Sequence, residues 1–146
     1  MKHLLFKLLL SAIFSFLPLY VSVSYFFSNT NNNARFIPEL TIQNVYSELK
    51  KQGIAHPEVV LKQVIAETKW LNCRNCSLKF NNLFGFLTKS GYMKFEDWTA
   101  SVAYYKKWQD SQYKGGDYYQ FLSRIGYATA PSYIRLLKQI RIPELI

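Results

Sequence analysis

Residues 53–71 read GIAHPEVVLKQVIAETKWL, and this stretch decides the fold. Pro57 sits where a first helical residue belongs, because its missing N–H costs nothing there and its fixed φ is already helical. No breaker follows as far as Leu71, so the sequence predicts a helix over about 57–71. Counting about 100° per residue, Val60, Leu61, Val64, Ile65 and Leu71 share one apolar arc, while Glu58, Lys62 and Lys69 gather on the opposite side. Glu67 breaks this division. It falls about 20° from Val60, with Trp70 and Val59 beyond it, so an acid stands where a hydrophobe belongs. A carboxyl group in an apolar setting resists ionisation and keeps its proton near neutrality, as a glycosidase general acid must. A buried structural Glu, paired with Lys or Arg or satisfied by backbone groups, would give the same pattern, so periodicity alone leaves both readings open.

The flanking sequence supplies the other elements. Ile42, Val45, Tyr46 and Leu49 recur at helical spacing behind Thr41, and Gly53 followed by Ile54 reads as a glycine stop, which predicts a helix over about 41–52. Residues 72–94 hold both cysteines, the NNLFG segment and Gly91, and read as loop with a short hairpin. Asp97 is placed to cap a third helix bearing Trp98, Val102, Tyr105 and Trp108 on one face. Asp117 and Gly126 frame a fourth, and a fifth runs from near Pro131 to before Pro143. The expected fold is mainly α, of the α+β kind: one small domain of about five helices.

Residues 8–27, LLLSAIFSFLPLYVSVSYFF, carry no charge and follow Lys2, His3 and Lys7. A basic start before an apolar run of this length is an export signal, either an uncleaved transmembrane anchor or a cleaved signal peptide, since no A-x-A site closes the run. The chain thus divides into a signal segment at 1–27, a polar linker at 28–37 and a domain at 38–146. The formal net charge is +9, and without Lys2, Lys7 and Arg35 the remainder has 15 basic against 9 acidic side chains, or +6. Such a surface suits a polyanion, and with an export signal the polymer is a wall component or the membrane surface and not nucleic acid; a role in solubility alone stays open. Cys73 and Cys76 form a lone C-x-x-C. With His3 and His56 the only histidines, a zinc site lacks ligands, no metal or cofactor is called for, and a local disulfide is the reading for an exported protein.

Four segments in order carry a family resemblance: GIAHPEVVLKQVIAETKW at 53–70, NNLFG at 81–85, GYMKFEDWTASVAYYKKW at 91–108 and GYATAPSY at 126–133. Over most of residues 40–140 the chain resembles the glucosaminidase domains of glycoside hydrolase family 73, including the flagellar peptidoglycan hydrolase domain. The resemblance implies a lysozyme-like fold, cleavage after N-acetylglucosamine in the glycan strands of peptidoglycan, and Glu67 as general acid. It implies that Trp70, Asn82, Phe84 and Gly85 shape the saccharide groove, that Tyr127 lines the site opposite the acid, and that Tyr133 follows it, either toward substrate or in packing. No cofactor is implied, and the protein is expected to act as a monomer on glycan strands, tethered to the membrane or secreted.

Two departures bear on mechanism. Many family members place a second acid on a longer hairpin, but here FLTKSGYMKF at 86–95 contains none, and Ala130 stands where the family usually has Asp. Glu96 reads as a solvated side chain and Asp97 as a cap. A missing second carboxylate points to a substrate-assisted mechanism in which the sugar's acetamido group participates and Tyr127 orients it or stabilises developing charge. The rivals are a muramidase or lytic transglycosylase on the same fold, and a non-catalytic wall-binding module. The export reading predicts that the protein fractionates with membranes through residues 8–27, its C-terminal body accessible to protease only from outside the cytoplasm. A mature N-terminus after Ser24 would instead identify a cleaved signal.

Overall fold

The computed structural model describes residues 35–128 and 132–143. The compact unit begins at Ile37, so the apolar run at 8–27 and the linker up to residue 34 lie outside the described residues. Five helices and a two-stranded antiparallel sheet follow in order: α1 (Ile42–Lys51), α2 (Pro57–Thr68), a 3₁₀ turn (Ser77–Phe80), β1 (Leu87–Thr88), β2 (Gly91–Tyr92), α3 (Trp98–Gln112), α4 (Tyr118–Arg124) and α5 (Tyr133–Gln139). Among the described residues no helix is long and apolar enough to cross a membrane.

Local chemistry sets most of these boundaries. Thr41 caps α1 through a hydrogen bond from the Asn44 N–H. At its other end Gly53, with φ +68°, donates to the Lys50 carbonyl while Ile54 donates to Leu49, the paired closure that a left-handed glycine permits. Asp97 caps α3 and Asp117 caps α4, each carboxylate accepting from the N–H three residues on.

The end of α2 departs from the expectation. The helix stops at Thr68, because Lys69, Trp70 and Leu71 all take left-handed φ values of 50°, 62° and 63°. Such backbone costs about 1–2 kcal/mol per non-glycine residue, so something must hold it. Thr68 does: its buried hydroxyl donates to the Val64 carbonyl at 2.7 Å and accepts from the Leu71 N–H at 3.1 Å, while its own carbonyl receives the N–H groups of Asn72 and Cys73. Trp70 is thereby carried off the helical wheel.

α2 is the central element and packs against α1, α5 and the 3₁₀ turn. Val59, Val60, Leu61, Val64 and Ile65 are buried with Val45 and Leu49 of α1, Val102 and Tyr105 of α3, Phe121 and Leu122 of α4, and Leu137 of α5. Burying each such aliphatic side chain contributes about 1.5–3 kcal/mol, which offsets the ordering of a chain with little sheet to organise it.

The loop from 81 to 95 is organised by two amides. Asn81 Nδ2 donates to the carbonyls of Phe95 and Glu96. Asn82 is fully buried, donates to the carbonyls of Phe86 and Met93, and accepts from the N–H groups of Phe84 and Phe86. Four backbone groups of one loop thus close on one side chain. Asn82→Ala takes a hydrogen bond from each of the four and leaves the Phe86 carbonyl with the Met93 N–H, so unfolding in urea should show a loss of about 2–4 kcal/mol.

Candidate active site

Glu67 occupies the last turn of α2, two residues before the left-handed exit begins at Lys69, and is half-buried. Its carboxylate meets two chain segments from far along the sequence. Tyr133, on the first turn of α5, donates its hydroxyl to Glu67 Oε1 at 3.2 Å. Gly85, with φ +69°, brings its backbone so near that a Cβ there would lie 3.0 Å from Oε2. Only glycine meets both the conformation and the space at that point. Burial pushes the Glu67 carboxyl above its ordinary value and the Tyr133 hydrogen bond pulls it partly back. The Tyr133 phenol is in turn raised by burial and by the charge of Glu67.

Beside the carboxylate opens a cleft of about 580 Å³. Phe84, Gly85 and Phe86 form one wall, Trp108 and Gln112 of α3 the floor, Leu87 and Tyr92 of the hairpin one rim, and Ile125, Tyr127 and Ala128 the other. Aromatic contacts fix these surfaces: Phe84 lies on Tyr105 with centroids 4.2 Å apart, Trp108 meets Tyr127 edge-on at 5.4 Å, and Tyr127 stacks on Tyr133 at 6.0 Å. The Tyr127 hydroxyl donates to the Phe84 carbonyl at 3.2 Å, tying the turn after α4 to the loop across the cleft. Tyr127 therefore lines the cleft as part of a packed aromatic row.

The expected site residues fall into two groups. Glu67, Phe84, Gly85 and Tyr127 line the cleft, and Tyr133 stands behind Glu67 on its carboxylate. Trp70 is 44% exposed and is not among the lining residues, because the helix ends before it. Asn82 is wholly buried and spends its amide on the loop backbone, so its part is to shape the wall from behind. Phe86, Tyr92, Trp108 and Gln112 join the lining without having been singled out; Trp108 and Gln112 carry the one local signal, a four-residue spacing on α3. Ala130 lies outside the described residues. Cys73 and Cys76, expected to pair, are half-buried free thiols, with the Cys76 Sγ directed at the Cys73 carbonyl at 3.7 Å.

Glu67 is the only carboxylate on the cleft among the described residues. Glu96 is exposed, and Asp97 is occupied at the start of α3 by Ala100 N–H and the Thr99 hydroxyl. No group of three or more His, Cys, Asp or Glu side chains able to hold a metal ion occurs among the described residues. A single acid with a raised pKa beside an aromatic-lined groove can hold a proton near neutrality and donate it to a bound group. The family model described as mannosyl-glycoprotein endo-beta-N-acetylglucosaminidase, the glucosaminidase domain, matches residues 42–142. The chain belongs to the glucosaminidase family. Neither a curated protein nor a solved structure matches it significantly. The matched region of this glucosaminidase domain spans all five helices and the hairpin, so every residue of the cleft lies within it.

The approach of Gly85 to the carboxylate gives a direct check. Gly85→Ala should lower stability by about 1–2 kcal/mol for the left-handed backbone alone. The new methyl group should also displace the Glu67 carboxylate, visible in a crystal structure of the variant as a changed Glu67 rotamer.

Proposed function

We propose that this glucosaminidase domain cleaves the glycan backbone of peptidoglycan as an endo-β-N-acetylglucosaminidase, with Glu67 as general acid. The observation that carries the reading is the half-buried Glu67 carboxyl on an aromatic-lined cleft, held by Tyr133 at Oε1 and with Oε2 beside Gly85 of the cleft wall. In this reading Oε2 carries the proton. Glu67 gives it to the glycosidic oxygen as that oxygen leaves, so the departing sugar takes up the proton and the C–O bond electrons.

Among the described residues the cleft has no second carboxylate to activate water or attack the anomeric carbon, which favours substrate assistance. The acetamido oxygen of the N-acetylglucosamine bonds to the anomeric carbon as the leaving group departs. Water then opens that ring and gives a proton to the Glu67 carboxylate, which restores the acid. Tyr127, tied to the Phe84 carbonyl, holds the wall against which the acetamido group would lie. The aromatic faces of Trp108 and Tyr92 suit stacking on sugar rings. The basic charge of the domain suits an anionic wall, and the apolar run at 8–27 suits a protein exported and held at the membrane or released by cleavage.

The pH dependence follows from the sign of the Glu67 shift. A general acid works only while protonated, and a carboxyl raised above its ordinary value stays protonated to higher pH, so activity should persist past the ordinary glutamate range and fall as pH rises through the Glu67 pKa. Glu67→Gln keeps size and polarity but cannot transfer a proton. It should fold as the parent does and lose hydrolysis of purified cell wall by at least about a hundredfold in a zymogram or turbidity assay. Mass spectrometry of the parent digest should find reducing N-acetylglucosamine ends. Reducing or anhydro-muramic ends would assign a muramidase or lytic transglycosylase, and binding without release of fragments a wall-binding module.

A further inference from the structure

Beneath the cleft runs a series of buried polar side chains that the proposed reaction does not use. Gln109 of α3 is anchored at both ends of its amide by the Ala55 backbone: Oε1 accepts the Ala55 N–H at 2.7 Å and Nε2 donates to the Ala55 carbonyl at 3.0 Å. A backbone N–H can only donate and a carbonyl only accept, so this amide has one orientation. Its nitrogen also donates to the Tyr118 hydroxyl at 2.8 Å. The Tyr118 and Tyr105 hydroxyl oxygens are 2.8 Å apart, and Tyr105 commits its own hydrogen to Gln63 Oε1 at 2.6 Å. Tyr118 must therefore donate to Tyr105. With its oxygen held by Tyr105, the Gln63 amide has its nitrogen turned away from Tyr105.

That nitrogen is the informative atom. Gln63 Nε2 is buried and makes no hydrogen bond among the described residues, and Gln63 stands one turn before Glu67 on the same side of α2, next to the carboxylate that receives the Tyr133 hydroxyl. A buried N–H left unpaired costs about 1–3 kcal/mol, which favours its pairing with the oxygen of Tyr133. A Tyr133 oxygen that accepts from Gln63 can send its single hydrogen only onward, to Glu67 Oε1.

We infer that Gln109, Tyr118, Tyr105, Gln63 and Tyr133 form a one-way series of hydrogen-bond donors, anchored on the Ala55 backbone, that keeps the Tyr133 hydroxyl donating to Glu67 Oε1 and so reserves Oε2 for the proton transferred in the cleft. Gln63 and Tyr105 are positioning residues, because they act on Glu67 through Tyr133. Gln63, Tyr105, Tyr118 and Gln109 are all buried, so solvent does not compete along the series. The titratable groups facing Glu67 are Tyr133 from α5 and Tyr127 from the turn after α4, with Tyr92 on the hairpin across the cleft. No Lys, Arg or His forms an ion pair with Glu67 among the described residues.

The inference rests on the general-acid reading for its use, but its test reads Glu67 directly. Carboxyl carbon NMR titration of the full domain, with the Glu67 signal assigned by its absence in Glu67→Gln, gives the Glu67 pKa without any assay of hydrolysis. Tyr133→Phe removes a hydrogen bond that favours the carboxylate, so the pKa should rise. Tyr105→Phe frees the Gln63 amide to turn and should raise the Glu67 pKa in the same direction by at least about 0.5 unit, with no further rise when added to Tyr133→Phe. Gln63→Met, which keeps length and removes the amide, should do the same and decides the matter if Tyr105→Phe does not fold. Where the parent hydrolyses cell wall, the alkaline limb of its kcat profile should move up in step, a change that lost packing alone would not produce. Folded Tyr105→Phe or Gln63→Met with Glu67 titrating as in the parent would overturn the inference. A parent with no hydrolytic activity would remove the proposed function and leave this titration standing.

Discussion

Everything distinctive about this domain depends on keeping one carboxyl group on the apolar face of α2. Removing Glu67 from water favours its protonated form, and the hydrogen bond it accepts from the Tyr133 hydroxyl works in the other direction. The two effects differ in kind. Desolvation is spread over the surrounding surface, whereas the hydrogen bond has a direction and one atom of attachment. The carboxyl is therefore both raised in pKa and made asymmetric, with one oxygen engaged behind and the other facing the cleft across from Gly85.

The surroundings follow from that placement. A glycine must stand at 85 because the loop backbone has to approach the carboxylate, and a loop that approaches so closely needs its own polar groups satisfied elsewhere. Asn82 supplies that by taking four hydrogen bonds from one loop, and Asn81 fastens the same loop to the start of α3. The aromatic row of Trp108, Tyr127 and Tyr133 then closes the opposite side by ring packing, so both walls of the cleft are rigid without much regular structure. A sheet of only two residues per strand suffices, since amides and rings do the holding.

The short hairpin gives the site its economy. With no acid on it and with Asp97 committed to capping α3, the cleft offers one carboxyl group and several aromatic faces among the described residues. In the proposed chemistry the substrate's acetamido group takes the part a second carboxylate would otherwise play, and the protein's task narrows to delivering and recovering one proton.

The sequence by itself determined the helices and the face on which Glu67 lies, because the signals for them are local. Thr41, Asp97 and Asp117 cap the helices that follow them, Gly53 and Ile54 end α1, and a 3.6-residue period places an acid among hydrophobes without knowledge of what packs there. Only the tertiary structure decided what each side chain meets. α2 ends at Thr68 through hydrogen bonds of one threonine that no glycine or proline announces, and this turns Trp70 to solvent. Asn82 reads as a polar groove residue but points inward, since the loop around it needs its amide more than a sugar does. Tyr133, 66 residues from Glu67 in sequence, and Gln63, one turn before it on the same helix, acquire their parts only when α5 and α3 pack on α2. Periodicity fixes which side of a helix is buried; the identity of the group waiting on the other side is a property of the packed chain.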